Sequence, residues 1–280
     1  MWYPLANFPD GSGPGEKSYV PQIDTGPYDF VHVLEDIQSL NERSAKGELE
    51  ITALSIHQYP YVADRYILTT CGASMGDGYG PMVVSRRPLE VTDLPDLRIA
   101  VPGERTTAFL ALSLLLEQRV PNYEVVSFEK IIPAVAEGRF DAGLIIHEGQ
   151  LTFADAGLRC VVDLGDWWKK QHGMILPLGG NAIRRDLGPH LQPICTVLLR
   201  SIRYALEHRS KAIDYALNYA RDMGIALADR FVGMYVNQWT LDYGPTGRQA
   251  VRRLLGEATK AQLIPDTGEV EFVEPDSQRL

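Results

Sequence analysis

Between residues 97 and 183 the chain switches repeatedly between two hydrophobic periods, and that switching restricts it to folds built from βα units. Residues 97–101 form a short apolar run turned by Pro102-Gly103. Thr106 and Thr107 open a helix carrying Phe109, Leu110, Leu112, Leu115 and Leu116. Residues 123–126 read as strand, 129–137 as a helix stopped by Gly138, and 142–146 as a buried strand. Residues 160–162 continue as strand, 166–171 as a short helix, and 175–183 as an extended return.

The preceding stretch has the same grammar. Residues 30–34 are β-prone, Asp36 offers an N-cap, Ile37, Leu40 and Ala45 fall at helical spacing, and Gly47 supplies the stop. Residues 50–54 are strand-like, with Ser55 at the following turn. Residues 66–70 and 81–85 make two more strands around the Gly-rich segment 72–80. From about residue 188 to 264 the pattern is helical, with one stripe at Leu198, Leu199, Ile202 and Leu206 and another at Val251, Leu254 and Leu255. Residues 11–16, rich in Gly and Pro, read as loop or disordered tail.

Strands alternating with helices predict an α/β chain with mostly parallel sheets covered by helices. The order suits two lobes: residues 1–90 and 184–280 in one, 91–183 in the other, with crossings near 87–95 and 176–183. Ligands bind outside the carboxyl ends of strands in such open sheets, and a hinge crossed twice sets those ends face to face.

Composition excludes several classes of function. The net charge of −9 and the lack of a Lys/Arg run argue against nucleic acid. No apolar run approaches the roughly 20 residues that span a membrane, and the N-terminal residues lack the basic and apolar regions of an export signal. A cytoplasmic location is expected. The three cysteines, Cys71, Cys160 and Cys195, have no metal-ligand spacing and are expected to be buried thiols in a reducing compartment.

Four places carry candidate chemistry. The segment Val101-Pro102-Gly103-Glu104-Arg105-Thr106-Thr107 joins a strand to a helix N-terminus, where free amides and the helix dipole favour an anion. Thr106 also reads as a plain N-cap. Ser55 occupies the matching strand-end position in the first lobe and admits the same two readings, and Asn41 is by default an exposed helical amide. His147 ends an apolar strand and is followed by Glu148. An imidazole there is placed to act as general base or to be a satisfied structural histidine. The other histidines offer less: His57, His172, His190 and His208 read as solvated, and His32 alternates within a strand. Gly76-Asp77-Gly78-Tyr79-Gly80 leads into a strand, the wrong order for a dinucleotide fingerprint, and reads as loop or hinge. Trp167-Trp168 reads as lobe packing.

Asp141-Ala142-Gly143-Leu144-Ile145-Ile146-His147-Glu148 resembles the 1,4-dihydroxy-6-naphthoate synthases of the futalosine route to menaquinone. Further blocks in the family's order are Val33-Leu34-Glu35-Asp36, Leu40-Asn41, Leu54-Ser55, Gly80-Pro81-Met82-Val83-Val84, Val101-Pro102-Gly103, Thr106-Thr107-Ala108, Val162-Asp163-Leu164-Gly165, Trp167-Trp168 and Leu176-Pro177-Leu178-Gly179. The resemblance implies a two-lobed type II periplasmic-binding-protein-like fold with a helical C-terminal part. It also implies a lyase that makes 1,4-dihydroxy-6-naphthoate from cyclic dehypoxanthinylfutalosine, with no cofactor or metal. His147 falls at the position of the proposed base, and Asn41, Ser55, Thr106 and Thr107 fall at pocket positions. The small-molecule partner is then a carboxylate. One departure stands out, because family members open with a strand, a Ser-Pro-type turn and an aromatic-rich helix. Here Pro9-Asp10-Gly11-Ser12 and the Gly/Pro stretch take that place, which implies a missing or altered first strand and cleft wall. Two alternatives remain at this level, a chorismate dehydratase of the same pathway and a non-catalytic solute-binding protein.

Overall fold

The computed structural model describes residues 2–219 and 224–276. Its N-terminal arm differs most from expectation. After a 3-10 turn at Tyr3–Leu5 come β1 (Phe8–Gly13) and β2 (Lys17–Tyr19), paired as a hairpin. The stretch 11–16, expected as loop or tail, forms the end of β1 and the reversal of this hairpin. The Phe8 and Tyr19 rings meet across it at 6.5 Å, the cross-strand contact that stabilises such a pair. Residues 30–34, expected as strand, join neither main sheet, and Val31 is 88% exposed. Their composition favours extended backbone, but a strand also needs a neighbour to bond.

Helix α1 (Ile37–Lys46) begins and ends where the sequence predicts. Asp36 accepts from the amides of Gln38 and Ser39, and Gly47 closes the helix at φ 71°. Then follow β3 (Ile51–Ser55), a 3-10 turn at Ile56–Tyr61, β4 (Tyr66–Thr69) and β5 (Ser74–Gly76). The next block is β6 (Met82–Ser85), β7 (Ile99–Val101), α2 (Thr107–Leu115), β8 (Tyr123–Val125) and α3 (Phe128–Ala136). It continues through β9 (Ala142–Ile145), α4 (Gly149–Thr152), β10 (Arg159–Asp163) and α5 (Leu164–His172). The chain returns in β11 (Leu176–Arg184), then runs through α6 (Leu191–Glu207), α7 (Arg209–Leu217), α8 (Ile225–Tyr235), α9 (Gln238–Leu241) and α10 (Gly244–Lys260) to β12 (Phe272–Val273).

The strands form two main sheets, ordered β10-β6-β9-β7-β8 and β12-β4-β11-β3, with β5 also on β11. The sheets are mixed, not mostly parallel. Parallel pairing joins β7 to β8 and β9 and β12 to β4, whereas β6 is antiparallel to β9 and β10, and β11 to β3, β4 and β5. The two antiparallel strands are those by which the chain changes sheet. In the second sheet β6 thus runs against β9 and β10, and in the first β11 runs against β3, β4 and β5. Pairing also moves sheet membership ahead of the expected limits: Met82–Ser85 already bonds in the second sheet, and Leu176–Arg184 already bonds in the first.

Helix α2 ties the halves together. Its sequence is apolar all round, which suits only a helix covered on every side, and residues 107–113 are buried. One core cluster runs from Leu54 and Leu68 through Phe109 and Leu112 to Trp168 and Leu254, spanning both sheets. Smaller cores lie under α6, around Cys71, Cys195 and Leu198, and under α3, around Ile131 and Val135. Cys71 and Cys195 are buried as expected, and Cys160, at the start of the outermost strand β10, is exposed. Trp168 is fully buried and donates its indole N–H to the Ile175 carbonyl, while Trp167 packs half-buried beside it. Among the described residues no helix is long and apolar enough to cross a membrane.

Candidate functional site

The sequence-predicted residues fall into two groups. Asn41, Ser55, Thr106 and Thr107 come together where the end of β3 meets the start of α2. Asn41 is fully buried, not exposed, because it lies on the face of α1 that packs on β3. Its side-chain oxygen accepts from the Ser55 amide at 2.9 Å, and its amide donates to Ser55 Oγ at 3.1 Å and to the Arg105 carbonyl at 3.3 Å. Thr106 is the N-cap of α2: its hydroxyl accepts from the Phe109 amide and donates to the Gly103 carbonyl. The Thr107 hydroxyl donates to the Leu178 carbonyl and accepts from the His57 amide.

Most of this polar capacity is thus spent within the protein. What remains is the Ser55 hydroxyl proton and the amides of Thr107 and Ala108, which have no acceptor within their own helix. The Arg105 guanidinium is stacked 3.6 Å over the Tyr61 ring, and its positive charge acts on His57 in the same turn. An anion fits this chemistry. The turn also lies hard against α1, since a Cβ on Gly103 would stand 2.2 Å from Gln38 Oε1.

His147 stands apart from that network, just beyond the end of β9. Its backbone is left-handed at φ 56°, a conformation that costs free energy for a side chain with a Cβ. The turn is held on both sides, for Gln150 N donates to the His147 carbonyl and Tyr235 of α8 donates to Gln150 Oε1 at 2.6 Å. The imidazole lies 4.6 Å from the Phe128 ring and 6.4 Å from the Phe231 ring, and Phe231 continues to Tyr235 and Tyr79. Burial pushes its pKa below the usual histidine value, while the Glu148 and Asp36 charges oppose that shift. A neutral ring able to accept a proton at neutral pH results.

Asp36 and His57 are functional neighbours that sequence reasoning missed. Asp36 was legible as a helix cap, but that its charge also raises the His147 pKa is a tertiary effect. His57, expected to be solvated, is 3% exposed, because the turn after β3 folds inward against α2. His172 and His208 are half-buried, His190 is exposed, and His32, beside the N-terminal hairpin, is partly buried against Tyr215. Two surface cavities of about 320 and 400 Å³ are lined by none of the five predicted residues. Among the described residues no three His, Cys, Asp or Glu side chains are placed to hold a metal ion.

Comparison with known proteins places the chain in a family. A family model described as menaquinone biosynthesis matches residues 2–260. A 1,4-dihydroxy-6-naphthoate synthase of Thermus thermophilus is 43% identical over 233 residues, covering 83% of this chain and 84% of that protein. One of Streptomyces coelicolor is 37% identical, with the same coverage. A crystal structure of an Archaeoglobus fulgidus protein, 43% identical, superposes with a TM-score of 0.78 over 84% of this chain and 88% of that one. The alkanesulfonate-binding protein of Xanthomonas axonopodis pv. citri superposes at 0.61 with 16% identity over 85% of each chain, which bears on the fold alone. The fold is that of the two-lobed periplasmic binding proteins, and the chain belongs to the menaquinone-biosynthesis family of the 1,4-dihydroxy-6-naphthoate synthases.

Proposed function

We propose that this protein is a carbon–carbon lyase that converts cyclic dehypoxanthinylfutalosine to 1,4-dihydroxy-6-naphthoate, with His147 as general base. One observation carries the reading. A histidine kept neutral by burial sits on left-handed backbone beside two phenylalanine rings, with the Glu148 and Asp36 charges opposing the lowering of its pKa. The imidazole accepts a proton from the substrate. The electron pair released forms a carbonyl on the fragment that leaves as a carbon–carbon bond breaks, and the pair of that broken bond stays on the ring side and completes the second aromatic ring. Aromaticity supplies driving force, so the protein chiefly positions the substrate and takes the proton.

Phe128 and Phe231 suit a planar ring system beside the base. The start of α2 receives the substrate carboxylate through the Thr107 and Ala108 amides, and Ser55 donates its hydroxyl proton. Asn41, Thr106 and Thr107 hold that subsite in shape through the bonds described above. In the family's opening position stand residues 9–12, which lie in the hairpin arm. The first-lobe wall of the site is therefore assigned to Ser55 and the start of α1. The reading includes a small-molecule partner only, with neither nucleic acid nor membrane, and a cytoplasmic location.

The test is incubation of purified protein with the cyclic substrate. Naphthoate should form, and His147→Ala should abolish it. No product from the wild-type protein, or an undiminished rate for the variant, overturns the proposal. Turnover of chorismate instead would assign the sister activity.

A further inference from the structure

We infer that His57 is a positioning residue that braces the two walls of the carboxylate subsite, setting where the start of α2 stands relative to Ser55. The inference rests on the reading of that turn as the carboxylate subsite. His57 lies in the turn after β3, two residues beyond Ser55, and is buried. Its backbone amide donates to Thr107 Oγ1 at 3.2 Å, and its ring Nδ1 stands 3.0 Å from the Thr106 carbonyl oxygen. A carbonyl oxygen only accepts, so Nδ1 carries the proton. Two bonds from one residue to consecutive residues of another element fix orientation as well as distance. The Thr107 hydroxyl passes the connection on to the Leu178 carbonyl in β11, so three elements meet at this point.

Burial, with the positive charges of Arg105 and Arg119, holds the His57 pKa near 4 against the opposing bond to Thr106. The ring therefore stays neutral, with its single donor directed at Thr106. That nitrogen is committed to the protein, so the ring acts through the placement of α2. Without its bond the start of α2 is freer to drift from Ser55 in the empty protein. Apparent affinity then falls by the fraction of molecules no longer aligned, while bound substrate restores the alignment.

Three substitutions separate this role from simple packing. Asparagine puts an amide N–H close to the place of Nδ1, glutamine carries it one bond too far, and leucine removes it. KM for the cyclic substrate should rise about three- to tenfold in His57→Leu and His57→Gln, the worth of one neutral hydrogen bond. His57→Asn should stay within about twofold of wild type, and kcat should change little in all three. Equal KM for the asparagine and glutamine variants overturns the inference, as does a collapse of kcat in all three. If His57→Leu fails to fold, the asparagine–glutamine pair still decides. If wild-type protein makes no naphthoate, the proposed activity fails separately and solution scattering decides on the brace. A larger radius of gyration in His57→Gln, restored in His57→Asn, supports it, and identical values in all proteins overturn it.

Discussion

The two polar clusters are built on opposite principles. Around Asn41, Ser55, Thr106 and Thr107 nearly every donor and acceptor already has a protein partner: Asn41 is bonded to Ser55 beside it, and further bonds tie Asn41 and His57 to the start of α2 and Thr107 to β11. Around His147 the polar group is held by its backbone and by neighbouring rings, and burial keeps the imidazole unprotonated. The first cluster is a frame and the second a reagent. Residue type does not separate them, because hydroxyls and amides serve both purposes; hydrogen-bond accounting does.

Loss of the reagent should give the largest effect. Replacing His147 with alanine or glutamine is expected to lower kcat for naphthoate formation by about 10²- to 10⁴-fold, the range of a general base. The unfolding midpoint should move only by the loss of the contacts with the Phe128 and Phe231 rings. A variant that loses activity only by unfolding would make His147 part of the frame and erase the contrast.

Asn41→Ala should behave in the opposite way. It leaves the Ser55 amide and the Arg105 carbonyl unpaired in a buried place, at a cost of about 2 to 4 kcal/mol. Urea unfolding reads this directly. A loss below about 1 kcal/mol together with a large rise in KM would show that Asn41 grips substrate instead of bracing the lobes.

The contrast also explains what was legible beforehand. Helix α1 with its Asp36 cap and Gly47 stop, the all-apolar α2 and the buried β9 are local facts, written in spacing and capping residues. The strand expected at residues 30–34 failed because periodicity reports which residues suit a sheet, not whether a partner strand lies beside them. His57 looked solvated for a related reason: a short 3-10 turn has no period from which a buried face can be read. The link from Asp36 to His147 joins residues far apart in sequence, and no spacing rule reaches it. Candidate residues were thus visible at the ends of strands, but their division into frame and reagent was not.

The electrostatic side of the comparison is sharpened by Asp36→Asn. Asparagine caps a helix as well as aspartate does, so α1 should persist while the charge disappears. Asp36 raises the His147 pKa against the dominant lowering by burial, so removing its charge lowers that pKa further. The base works unprotonated, and kcat/KM rises with pH through its pKa. The acid limb of the pH profile should therefore move to lower pH, by less than about one unit for one charge at this range. A shift to higher pH, or none at all, would remove Asp36 from the surroundings of the base.

The smallest effect separates two uses of the Thr106 hydroxyl. It accepts from the Phe109 amide and donates to the Gly103 carbonyl, so Thr106→Ala should cost about 1 kcal/mol of stability through the lost cap. Thr106→Asn keeps an oxygen able to cap but discards the hydroxyl. If Thr106 belongs to the frame, the asparagine variant should unfold at the wild-type urea concentration and hold KM within about twofold, because its oxygen still organises the first turn of α2. If the hydroxyl instead reached substrate, stability would return in Thr106→Asn while KM stayed high. That split is the measurement to make, because alanine alone would weaken the helix start and the substrate contact together. A restored KM places Thr106 with Asn41, as a residue that aims the amides of α2 and leaves the substrate to them.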